Sequence, residues 1–101
     1  MTLYNNENKH VCLCIPRVEK NTSDKEIKSI IDELSIGVID KIDMVPNKNK
    51  DDKSKRAFIH FSSWEWNERT NKIYEKLTTG KSIKVIYNNP WFWKLSLSRS
   101  R

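Results

Sequence analysis

From His10 to Val18 the chain alternates. Val11, Leu13 and Ile15 fall on one side, and His10, Cys12 and Cys14 on the other. A period of two is that of a strand with a single buried face. The period then changes. Ile27, Ile30, Ile31 and Leu34 recur at helical spacing, and Ser23 with Glu26 three residues on has the spacing of a capping box. A helix over about 23–34 is expected, with Gly37 supplying the freedom to leave it.

The segment "VIDKIDMV" (38–45) reads as a second strand, with Ile42 and Met44 inward and Lys41, Asp43 and Val45 outward. Pro46 and the polar run after it break the pattern. In the third strand, "RAFIHF" (56–61), Ile59 and Phe61 require burial together, so Ala57 joins them and Arg56, Phe58 and His60 face outward. A second helix is expected over about 63–77, where Trp66, Thr70, Ile73 and Leu77 repeat, and Gly80 ends it. "SIKVIY" and "WFWKLSLS" flank the turn signal Asn88-Asn89-Pro90 and read as a closing hairpin.

The predicted order is β-α-β-β-α-β with an extra short strand before the last. That is the signature of an α+β, ferredoxin-like split β-α-β fold, with both helices on one face of an antiparallel sheet and the other face open. Residues 1–9 read as a flexible lead-in, 10–98 as one domain and 99–101 as a basic end. The length of 101 residues suits one hydrophobic core.

On the predicted sheet the first and third strands are antiparallel neighbours. Cys12 is expected near Phe58, Cys14 near Arg56 and His10 near His60. In the last strand Leu95 and Leu97 set the parity, which puts Trp91 and Trp93 on the core face and Phe92, Lys94 and Ser96 on the open one. The tryptophans then read as core filling.

Two segments resemble the RNA recognition motif family, which carries a hexapeptide on its first strand and an octapeptide on its third. "VCLCIP" (11–16) stands at the first and "SKRAFIHF" (54–61) at the second. The closing "IYNNPWFWKLSLSRSR" is similar to small proteins of this type from large DNA viruses. The resemblance implies that Phe58 is an exposed stacking aromatic. Arg56 and Cys12 stand where the family places its other two.

Composition adds a weak push in the same direction. The net charge is +6 and the pI about 9.4, which favours polyanionic partners, although heavy use of Lys, Asn and Ile also fits a coding bias. Lys48, Lys50, Lys53, Lys55 and Arg56 crowd the loop before the third strand, and Arg99 and Arg101 lie at the end. Such residues hold phosphates without reading sequence, but a solvated loop and a frayed end look the same. No apolar run is long enough to span a membrane, and the polar start argues against secretion; an intracellular location, cytoplasmic or nuclear, is expected. Cys12 and Cys14, two apart, suit reduced thiols better than a disulfide.

The expected function is therefore binding of single-stranded nucleic acid, RNA before DNA, with little sequence preference. Phe58 would stack a base, Arg56 and Lys94 would contact phosphate or base, and His10, His60 and Phe92 would add stacking. Cys12 and Lys41 line the same face, and Lys55 with its loop would steer the strand in. The competing reading is a protein-interaction module using that face. His10, Cys12, Cys14 and His60 would make a zinc set only if they converged, which a flat strand opposes. No metal or cofactor is expected. Catalytic motifs are lacking, so an enzyme is not expected either.

Overall fold

The computed structural model describes residues 11–47 and 53–98. Its first strand, β1 (Val11–Val18), buries Val11, Leu13 and Ile15 as the alternation requires. The register with its neighbour then shifts between Ile15 and Val18, so that Val18 is buried while Pro16 and Arg17 are both exposed.

Helix α1 (Asp24–Asp32) starts on the expected box. Glu26 N donates to Ser23 Oγ at 3.2 Å, and Ser23 N donates to Glu26 Oε1 at 3.5 Å. Ile27 and Ile31 are buried, with Ile30 and Leu34 packed beside them. The residue that turns the chain out of the helix is Ser35, at φ 54°, and not Gly37. Arg69 Nη2 donates to the Ser35 carbonyl at 3.0 Å and ties this turn to the second helix.

Gly37 serves a different purpose. It opens β2 (Gly37–Pro46), where a Cβ would sit 2.4 Å from the Ser63 carbonyl oxygen. In β2, Ile39 opposes Phe61 and Ile42 opposes Ile59, with the register shifting between Ile39 and Lys41. That irregularity keeps both isoleucines on the core side, which strict alternation forbids.

Strand β3 (Lys55–Trp64) runs three residues beyond the predicted end. Ser63 and Trp64 belong to it, not to the following helix. Helix α2 (Glu68–Thr78) begins only after Asn67, whose side chain accepts from Thr70 N at 3.0 Å while Asn67 N donates to Thr70 Oγ1 at 2.9 Å. Thr70 also donates to the Glu65 carbonyl, which satisfies its hydroxyl inside the core. The helix ends on Gly80, at φ 89°. Lys81 N donates to the Lys76 carbonyl and Gly80 N to the Leu77 carbonyl, a Schellman closure.

The hairpin β4 (Ile83–Asn88) and β5 (Trp91–Leu97) completes one antiparallel sheet in the order β2-β3-β1-β5-β4. The architecture is α+β: a five-stranded antiparallel sheet with two helices, compatible with an α+β plait. It carries one more strand than the four-stranded ferredoxin-like arrangement, because β4 lies outside β5 as an edge.

A single core joins Ile27 and Ile31 of α1 and Leu77 of α2 to Leu13, Ile15, Ile59 and Leu95 of the sheet. Both helices therefore cover the same face. Trp64 and Trp93 are in this core, and Trp93 stacks on Tyr87 with centroids 4.4 Å apart. Trp91 was expected there too, yet it is 62% exposed. It pairs with Asn88 at the tip of the hairpin, after a register irregularity between Ile86 and Asn88. No helix among the described residues is long and apolar enough to cross a membrane.

Candidate nucleic-acid interface

The sheet face away from the helices is built from alternate residues of all five strands. Its centre differs from expectation. Cys12 faces His60 and Cys14 faces Phe58, a slip of two residues from the predicted pairing. Because side chains repeat every two residues, such a slip leaves every face assignment intact, which is why alternation alone cannot detect it.

Phe58 is on the predicted side of the sheet but is not a solvent platform. It is 7% exposed. Cys14 and Asp43 oppose it on the two flanking strands, and the Arg56 guanidinium carbon lies 5.9 Å from its ring centroid. Cys12 is buried as well, at 4%. His60 is half-buried, with its Nε2 3.0 Å from Asp43 Oδ2. That pairing fixes the ring where a free stacking group was expected.

Arg56 is half-buried, and its Nε has no hydrogen-bond partner among the described residues. Burial pushes the Cys14 thiol above its usual range, and the Arg56 charge partly offsets this. Lys41 is exposed opposite His60, while Lys55 is half-buried between Val18 and Pro46. His10, Lys48, Lys50, Arg99 and Arg101 lie outside the described residues. Among the described residues no group of three or more His, Cys, Asp or Glu side chains is placed to hold a metal.

Among the described residues the exposed aromatic of this face is Phe92, 41% accessible. It opposes Ile86 across the hairpin, and the Lys84 ammonium sits 4.7 Å from its ring centroid. Phe92 also lines a groove of about 230 Å³ with Pro16, Arg17 and Lys94. Lys84 and Lys94 are cross-strand partners. With Arg17 and Arg56 they form a basic band from β4 to β3, about 14 Å at the usual strand spacing.

Phe92, Lys94, Arg56 and Lys41 thus occupy the face as predicted, and Phe92 replaces Phe58 as its accessible ring. Lys84, Ile86 and Arg17 were missed. The first two follow from extending alternation to "SIKVIY", since Ile83 and Val85 pack inward. Arg17 has no such signal, because its exposure depends on the register shift in β1. Compared with protein-family models, curated proteins and solved structures, the chain matches none of them.

Proposed function

We propose that the chain is a plait similar to the RNA recognition motif that binds single-stranded nucleic acid, RNA in preference to DNA, on its helix-free sheet face. The fold reading is supported by β1 and β3 as central antiparallel neighbours and by two helices on the opposite face. β4 is then an addition at the edge.

One observation carries the functional reading. Phe92 is an accessible ring set among Lys84, Lys94 and Arg17, beside a groove. Any base has a π-face to lay on such a ring, and the cations meet the phosphates on either side. Both kinds of contact tolerate sequence, so low specificity follows. Arg56 extends the track inward, while Phe58 and Cys12 support the sheet beneath it.

The test is fluorescence anisotropy with single-stranded RNA, single-stranded DNA and duplex at two salt concentrations. Single strands bind best and lose affinity with salt. Phe92→Ala removes about 1–3 kcal/mol of stacking, or roughly 5- to 150-fold in affinity. Absence of binding to all three at low salt sinks the proposal.

A second reading has a specific observation behind it. Ile86, 63% exposed, sits on the edge strand β4 directly opposite Phe92. That pair forms an apolar step which a partner protein could cover, and an edge strand can accept another strand. Retained binding of a protein partner, with no oligonucleotide affinity, would select it.

A further inference from the structure

The helix side of the sheet carries a second feature, unrelated to the basic band. Trp91 lies at the rim of a groove of about 620 Å³, whose walls include Glu19, Glu26, Ile30 and Tyr87. Its neighbour two residues on, Trp93, fills the core, whereas the Trp91 indole is mostly in water. An exposed Trp beside a mainly polar, acidic groove suits a cationic partner, since Trp is the most favourable ring for cations and is enriched where partners bind.

The charge of the groove selects the occupant. The chain as a whole is +6, yet the charged residues lining this groove are Glu19 and Glu26. Neither has an ion-pair partner among the described residues. Burial, reinforced by the nearby Glu19 carboxylate, holds the Tyr87 phenol above its ordinary range, so Tyr87 adds a neutral hydroxyl and no further charge. A cationic segment complements this lining, and a polyanion does not.

We propose that this groove docks a basic peptide segment of a partner protein, with a Lys or Arg side chain laid on Trp91 and held between Glu19 and Glu26. The chain would then hold an anionic strand on its sheet and a cationic peptide on its helical side. The second site does not depend on the first.

The test titrates a fluorescein-labelled penta-arginine peptide into the full chain at low salt, with penta-glutamate as control. Penta-arginine binds, and penta-glutamate does not bind through this groove. Trp91→Ala and Glu19→Gln each weaken penta-arginine binding by about threefold or more, while Trp91→Phe retains most of it. The single-stranded RNA affinity of Trp91→Ala stays within about threefold of the parent, as expected for contacts on the other face. No penta-arginine binding, an affinity unchanged in both weakening variants, or a joint loss of peptide and RNA binding overturns the proposal. Glu19 is exposed, so Glu19→Gln keeps the test valid should Trp91→Ala fold poorly.

Discussion

Phe58 and Phe92 show how much one residue's surroundings outweigh its parity. Both are on the helix-free face, and alternation assigns both correctly. Accessibility nonetheless separates them, at 7% for Phe58 against 41% for Phe92. Phe58 has β1 and β2 on its two sides and a guanidinium against its ring, whereas Phe92 has the narrow edge strand β4 on one side. Phe58→Ala is therefore a stability change first. It costs about 3–5 kcal/mol, the range for a buried Phe→Ala. Urea unfolding reads this as a lower midpoint at unchanged slope. If Phe58→Ala instead leaves the midpoint unchanged and abolishes RNA binding, Phe58 is the platform and Phe92 is not.

At the scale of elements, the two glycines separate what sequence shows from what it hides. Gly80 was readable: it follows a helical stripe and adopts the left-handed conformation that ends helices. Gly37 was readable as special but for the wrong reason, because the turn is made by Ser35 and the glycine is required by β3 passing against it. A contact with a strand 26 residues away leaves no local pattern. The start of α2 was misplaced for a related reason. Trp66 begins the helical stripe with Thr70, Ile73 and Leu77, but the chain just before it is still in the sheet, where Trp64 pairs with Gly37. By contrast α1 was plain, since Ser23, Glu26 and the isoleucines state the same answer locally.

The consequence is measurable. Gly80→Ala meets open space and costs about 1–2 kcal/mol for the left-handed backbone alone. Gly37→Ala drives a methyl into a backbone carbonyl, and neither strand can yield without disturbing their pairing. It costs more than Gly80→Ala, at or above the roughly 1–3 kcal/mol of overpacking. Hydrogen exchange then shows protection lost along β2 and β3, while Gly80→Ala affects the end of α2. Equal costs with no local loss at β2 would disprove the close-approach account.

For the whole molecule, net charge is the coarsest descriptor and hides the arrangement that matters. Lys84, Lys94, Arg17 and Arg56 line one face beside Phe92, while Lys25 and Lys76 belong to the helical layer on the other. If +6 acted as a diffuse charge, removing any two lysines would be equivalent. If binding is a set of phosphate contacts, position decides. Each phosphate contact on a single strand contributes about 0.7 to the slope of log affinity against log salt. The double variant Lys84→Ala/Lys94→Ala therefore lowers the slope by about 1.4 and weakens binding alike for all sequences. Lys25→Ala/Lys76→Ala removes the same formal charge and leaves the slope nearly unchanged. Matching slopes in the two double variants would show that attraction is non-local and that the Phe92 face is not the track.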